Sequence, residues 1–253
     1  PNQTVTYSLS GTDAALFNLN SSTGALTFKT APNYEAAADA GGDNVYDVVI
    51  TANDGAGRTT NQNVTVTVTG ENDNSPVFTS SASASFAENG TGVVLTAAAT
   101  DADKPNQTVT YSLSGTDAAL FNLNSSTGAL TFKTAPNYEA AADAGGNNVY
   151  DVVITANDGA GRTTSQNVTV NVTPVNEFAP VFTSSASASF AENGTGVVLT
   201  AAATDADKPN QTLSYSLSGT DAALFNLDSS TGALTFKTAP NYETASAARC
   251  RTR

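Results

Sequence analysis

Residues 69 to 78 read TGENDNSPVF. Glu71, Asn72, Asp73 and Asn74 set four oxygen-bearing side chains in a row, and Ser75 and Pro76 then break the run. An ordinary turn needs one or two such residues. Further acids recur as short groups: Glu88 in FAENG, Asp101 and Asp103 in TDADKP, Glu139 in PNYE and Asp158 in ANDGAG. Asp101 and Asp103 are two apart, so an extended backbone points both to one side. The chain carries a formal charge of −13 with only 10 Lys and Arg. That argues against nucleic acid and anionic membrane surfaces, which a basic patch would recognise, and it permits divalent cations. There is no His, which removes Ser-His-Asp and Cys-His catalysis and the commonest metal ligand. The lone Cys250 allows neither an intrachain disulfide nor a cysteine zinc site.

The elements that position these acids are set by a repeat. PNQTVTYSLSGTDAALF begins at residue 1 and again at 105, and PNQTLSYSLSGTDAALF follows at 209, a period of 104. Residues 1–69 and 105–173 differ only at Asp43/Asn147, Asn61/Ser165 and Thr67/Asn171. Residues 77–139 and 181–243 differ only at Val109/Leu213, Thr110/Ser214 and Asn124/Asp228. A period this long is a domain rather than a solenoid turn. The boundaries it implies are 1–75, a repeat short of its leading strands, 76–179, a complete repeat, and 180–243, a repeat short of its trailing strands. Residues 244–253 follow as a non-repeat tail that reads as a truncated or frame-shifted end, with a genuine basic tail as the alternative. The chain starts at Pro1, shows no signal peptide and reads as a piece of something longer.

Within a period, apolar residues alternate. Val168, Val170 and Val172 share a face, as do Tyr150, Val152, Ile154 and Ala156. Phe121 with Leu123, and Leu130 with Phe132, flank the turn signal NSSTG. This period of two predicts strands over 77–80, 84–87, 92–100, 108–114, 120–124, 128–133, 148–157 and 162–173. The two leading segments count as one interrupted strand. Apolar content of 40% is enough for packed cores. The fold class is therefore all-β: tandem seven-stranded Greek-key β-sandwiches of immunoglobulin-like architecture in a linear array. Only AALF and EAAADAGG have room for a helical turn. No apolar run approaches the roughly 20 residues of a membrane helix, so no membrane insertion by this segment is expected.

FAEN, DAD, NYE, ANDG and NDNSPVF, in that order and at this spacing, resemble a cadherin repeat, in particular the bacterial cadherin-like repeats of large surface proteins. The resemblance covers about residues 1–243. It implies calcium at the junction of successive domains, with ligands from the base of one, the linker and the top of the next. The first junction would use Glu35, the carbonyl of Asn72, the side chains of Asp73 and Asn74, and Asp101, Asp103 and Asp158. The second would use Glu88 and Glu139, then Asn176 and Glu177, then Asp205 and Asp207. Calcium takes 6 to 8 oxygens in a forgiving geometry, and a short Asn/Asp linker supplies several. Pro76 fixes φ and biases Ser75 to an extended form, which helps set the exit direction. Two carboxylates about 4 Å apart repel by roughly 1 kcal/mol in water and about 4 at an effective dielectric of 20. A divalent cation reverses the sign of that effect.

The chain departs from the family pattern at both junctions. The family's linker begins with Asp where this chain has Gly70 and Pro174, and Glu71 is a neighbouring substitute. The first acid of the family's Asp-x-Glu is Asn33, Asn137 and Asn241 here. Glu177 replaces Asp and Phe178 replaces a ligating Asn. The second junction is expected to hold fewer ions or to hold them more weakly.

The same residues admit other readings. Asp101 and Asp103 alone read as loop-solvating acids, Glu88-Asn89-Gly90 as a turn, and Asp54 and Asp158 as hairpin-turn residues. An EF-hand fails because Pro105 falls at its fifth position and Ser112 at its twelfth. A glycosidase dyad lacks an aromatic cleft, and Trp is absent. The reading is a non-enzymatic, extracellular or cell-surface adhesion segment with Ca²⁺ as cofactor, whose partner is a copy of itself or another adhesion protein. No nucleic acid or small-molecule substrate is expected. The alternative is a passive extracellular spacer carrying a binding or enzymatic domain elsewhere. A glycan-binding module would need an exposed aromatic platform, for which no residues are evident. Without Trp, adhesion by a Trp-anchored strand swap is excluded for this stretch.

Overall fold

The computed structural model describes residues 4–243; the tail 244–253 and Cys250 lie outside them. In the first repeat the strands are β1 (Thr6–Ser10), β2 (Phe17–Leu19), β3 (Leu26–Phe28), β4 (Val45–Asn53) and β5 (Thr59–Thr67). The middle repeat has β6 (Val77–Phe78), β7 (Ser83–Ala87), β8 (Val93–Thr96), β9 (Ala99–Thr100), β10 (Thr110–Ser114), β11 (Phe121–Leu123), β12 (Ala129–Phe132), β13 (Val149–Asn157) and β14 (Thr163–Thr173). The third has β15 (Val181–Phe182), β16 (Val197–Thr200), β17 (Ala203–Thr204), β18 (Phe225–Leu227) and β19 (Ala233–Phe236). AAL forms one 3-10 turn in each repeat, Ala14–Leu16, Ala118–Leu120 and Ala222–Leu224. EAAADAGG forms turns and bends but no helix.

The alternation does what the spacing predicts. In the middle repeat one sheet runs β10-β13-β14-β7 and the other β11-β12-β8. Leu130 and Phe121 from one sheet and Ile154, Ala156 and Val168 from the other are buried. Counting β6 with β7 and β8 with β9 as interrupted strands gives seven. The segment expected to run over 92–100 breaks at Ala97 and Ala98 because it changes partner. β8 pairs with β12, whereas β9 pairs with β6. At the break the Ala97 N–H donates to the Gly128 carbonyl (2.8 Å), while the Ala98 carbonyl accepts from Thr79 (2.8 Å) and Ser80 (3.2 Å). Gly128 (φ +71°) is required there, since a Cβ would stand 2.1 Å from the Ala97 carbonyl oxygen.

In the first repeat β1-β4-β5 make one sheet and β2-β3 a hairpin. Its core gathers Phe17, Tyr46 and Val48, with Phe28 edge-on to Tyr46 at 5.2 Å. In the third, β16-β19-β18 and β15-β17 form, but TYSLS does not repeat as a strand: residues 214–218 carry no strand, although β1 and β10 have nearly the same sequence. β1 and β10 pair with β4 and β13, and among the described residues no strand stands in that place beside 214–218 to complete a ladder. Leu217 and Phe182 are correspondingly 40% and 69% exposed.

The chain gathers into two compact units. One comprises residues up to Ala84 with Gly92–Lys133 and Asp151–Thr169; the other comprises Ser85–Thr91, Thr134–Tyr150 and residues from Val170 on. Each unit therefore contains one linker with the acids on both sides of it.

Leu130→Ala, at a side chain with no exposed surface, is expected to destabilise the chain by about 3 kcal/mol, and Leu234→Ala, at the half-buried counterpart, by roughly half of that or less. Urea denaturation of the two full-length variants measures the difference.

Candidate metal centre

Asp158 sits in the turn between β13 and β14. Its Oδ1 accepts from the backbone N–H groups of Ala160 (2.7 Å), Gly161 (3.0 Å) and Arg162 (3.1 Å). Its Oδ2 is buried and has no protein partner. The turn reading thus accounts for one oxygen and leaves the other unexplained. Asp101 and Asp103 follow β9, and the Asp103 N–H donates to Asp101 Oδ1 (3.0 Å). Asp101 Oδ2 is buried without a partner. Asp103 is 1% exposed and organises the linker. Its carboxylate accepts from the Asp73 N–H (3.4 Å), the Asn74 N–H (3.2 Å to each oxygen) and Asn74 Nδ2 (2.7 Å).

From the preceding repeat comes Glu35. Asn33 Oδ1 caps its N–H (2.8 Å) and that of Ala36 (3.1 Å). The oxygen that replaces the family's first acid is therefore engaged by the turn, and Asn137 Oδ1 does the same for Ala140 (2.7 Å). Glu35 Oε1 is buried and unpartnered. Carboxylate oxygens of Glu35, Asp73 and Asp103 lie within 4.8 Å of one another, and so do those of Asp101, Asp103 and Asp158. Two oxygens on opposite sides of a calcium ion at 2.3 to 2.6 Å stand about 4.6 to 5.2 Å apart, so each trio fits one coordination sphere. Asp103 belongs to both.

Two expected ligands are placed differently. The Asn72 carbonyl accepts from Arg162 Nε (2.8 Å), and Asn72 Oδ1 from Gln107 Nε2 (3.1 Å). Asn74 turns its amide nitrogen to Asp73 Oδ1 (2.7 Å) and Asp103; presenting Oδ1 instead needs a half-turn of the amide, which leaves its shape unchanged. Glu71 is exposed and belongs to no acid trio among the described residues.

The second linker assembles a single trio of Glu88, Glu139 and Glu177. Glu88 is 3% exposed, and its oxygens accept from the backbone N–H groups of Tyr138 and Val175, both at 2.7 Å. Glu139 Oε2 is buried and unpartnered. Glu177 also accepts from Asn89 Nδ2. Asp207, 1% exposed, accepts from the N–H groups of Glu177 (3.2 Å) and Phe178 (3.3 and 3.2 Å). The Asp205 carboxylate accepts from the Asp207 N–H (3.0 Å). Asp205 and Asp207 join no acid trio among the described residues, and Asn176 is exposed.

Electrostatics mark the linker acids. Desolvation, then the Glu35 charge and Asp103, hold Asp73 above the usual carboxylate range. Desolvation, then Glu88, Glu139 and Asp207, do the same to Glu177. Burial also pushes Asp103 and Asp158 up, but the hydrogen bonds they accept outweigh it and leave both lowered. Lys104, Lys208, Arg162 and Gln107 also touch the linkers or the acids before them. Sequence reasoning passed them over, because none belongs to an acidic motif. The only signal was that each lysine directly follows DAD.

The model of the cadherin domain family matches residues 82–173. Human protocadherin Fat 1 is 32% identical over 245 residues, covering 92% of this chain and 5% of that protein. Rat cadherin-related family member 1 is 33% identical over 171 residues, 66% of this chain and 19% of that protein. The chain thus spans a small fraction of the relatives it matches. The crystal structure of mouse cadherin-23 EC22-24 superposes with a TM-score of 0.71 at 27% identity, covering 96% of this chain and 78% of that one. These relatives are animal proteins and bear on the family, not on its bacterial version.

Asp73→Asn and Glu177→Gln are expected to raise the melting temperature slightly in chelator, where they remove repulsion, and to shrink the rise produced by calcium; thermal melts under both conditions check the inversion. The pH dependence has the same origin. Because its folded pKa is raised, Asp73 stabilises the metal-free chain below the unfolded value of about 3.9 and loses that contribution as pH rises through the folded value. Calcium affinity should climb over the same interval, and titrations at pH 4 to 7 follow it.

Proposed function

The chain belongs to the cadherin family, and on that premise we propose that it is a segment of an extracellular, calcium-dependent cell-adhesion protein whose repeats are stiffened by ions at their junctions. We take the repeats as 1–75, 76–179 and 180–243, with 244–253 as a tail. The supporting observation is a set of buried oxygens with no protein partner, on Glu35, Asp101, Asp158 and Glu139, each in an acid trio of ionic dimensions. A buried polar atom left unpaired is costly, and a hard cation relieves several at once.

Glu35, Asp73 and Asp103 would hold one ion, and Asp101, Asp103 and Asp158 a second, with the Asn74 amide at hand once turned. At the other linker Glu88, Glu139 and Glu177 would hold one. Calcium supplies charge that turns mutual repulsion into a cross-link. The chain's own residues supply the rest. β9 and the β13–β14 turn fix Asp101, Asp103 and Asp158 on the following repeat, the Asn33 cap fixes Glu35 on the preceding one, and Asp103 pins the linker between them. The second linker has one trio against two, which supports fewer ions there. At ten times its dissociation constant each ion stabilises the bound form by about 1.4 kcal/mol.

No helix among the described residues is long and apolar enough to cross a membrane. We read the chain as non-enzymatic, its acids being committed to turns and junctions. The partner in adhesion is a copy of this chain or another adhesion protein.

Calcium titration by calorimetry tests the reading: Asp103→Asn should abolish both ions of the first linker, and Glu88→Gln the ion of the second. Millimolar calcium that neither binds nor raises the melting temperature would sink it. Beads coated with the chain should cluster with calcium if the segment itself adheres, and stay dispersed if it is only a spacer.

A further inference from the structure

Where the family pattern has an acid at the start of the linker, this chain has Gly70 and Pro174. The space at Gly70 is already filled. A Cβ there would stand 2.7 Å from the Lys104 carbonyl oxygen and 3.0 Å from the Tyr34 ring. The segment bearing Lys104 is thus packed against the linker where an acid would otherwise project. From that position Lys104 Nζ donates to the Glu35 carbonyl oxygen at 3.0 Å. The second unit repeats the contact. Lys208 Nζ donates to the Glu139 carbonyl at 2.7 Å, and the Lys208 N–H to Glu139 Oε1 at 3.1 Å. Each lysine follows DAD directly, and each glutamate belongs to the preceding repeat. Arg162 adds a second bond in the first unit, from Nε to the Asn72 carbonyl.

The side-chain bonds all end on neutral carbonyls. They tie linker and preceding repeat to the following one without any lysine or arginine side-chain bond to a carboxylate oxygen; the Lys208 backbone N–H takes Glu139 Oε1 and leaves Oε2 unpartnered. The positive charges also stand among acids that repel one another; Arg162 opposes the upward push on Asp73. We propose that Lys104 and Arg162 in the first unit, and Lys208 in the second, form a basic latch that holds each linker in its ligand-presenting arrangement before an ion binds. They are positioning residues: the latch organises the trios, and the cation closes on a site already assembled. That role rests on the calcium reading, whereas the latch itself is measurable with no calcium present.

Hydrogen exchange on the full chain tests it, followed on the peptide spanning Gly70 to Pro76. The Asp73 and Asn74 amides in it are bonded to Asp103. With chelator, the double variant Lys104→Met, Arg162→Met should exchange there about fivefold faster than wild type, the scale of two exposed charge-assisted bonds. In millimolar calcium the gap should fall below about twofold. Lys104→Arg with Arg162→Lys, which keeps both charges, should restore protection. A double variant exchanging at the wild-type rate in chelator overturns the latch. So does equal acceleration in chelator and calcium, which marks a general packing defect. Calcium titration of the wild type reports separately on the ion sites, so failure of that reading is distinguishable from failure of the latch.

Discussion

Carboxylates crowded into one small volume repel each other, and both linkers of this chain crowd theirs in this way. Acids near the first linker come from three places: Glu35 before it, Asp73 within it, and Asp101, Asp103 and Asp158 after it. Asp103 carries the greatest burden. It is buried, accepts the linker's amides and belongs to both trios. The bonds that keep it ionised also keep the linker beside it. Desolvation first, and then repulsion from neighbouring acids, raises the less protected linker acids Asp73 and Glu177.

The β-sandwich is the frame that makes such crowding tolerable. Long strands such as β13 and β14 end in turns whose backbone amides take up one oxygen of an acid and leave the other directed elsewhere. Asp158 is divided in this way. Asp13 shows the contrasting case. It is buried, but both its oxygens are taken by the N–H groups of Ala40 and Asp47, so it is structural and nothing more. Asp158 keeps one buried oxygen without a protein partner, and Asp13 has both of its oxygens engaged.

Much of the site was legible because acidic motifs at a fixed period are a signal that survives without coordinates. Glu35, Asp73, Asp101, Asp103 and Asp158 were singled out by motif, and the structure brings their oxygens together. The alternation of Val168, Val170 and Val172 likewise foretold a buried face. Three features were not legible. Asn33 and Asn137 stand where the family has an acid, but their oxygens cap turns, a matter of local backbone path. The Asn72 carbonyl is taken by Arg162, ninety positions along the chain. Lys104 and Lys208 directly follow DAD, but only the close approach at Gly70 shows why the first of them lies against its linker.

Sequence alone determined the all-β class, the period and the acids' identity, because side-chain alternation and motif spacing are properties of the chain itself. Pairing was decided only by the tertiary structure. Tyr111-Ser112-Leu113 is a strand beside β13, while Tyr215-Ser216-Leu217, identical in residue type, is not. A strand's hydrogen bonds are made to another strand, so the same residues become sheet only where a partner offers its own N–H and C=O groups. The acids follow the same rule: a carboxylate becomes a ligand candidate through what the fold places beside it.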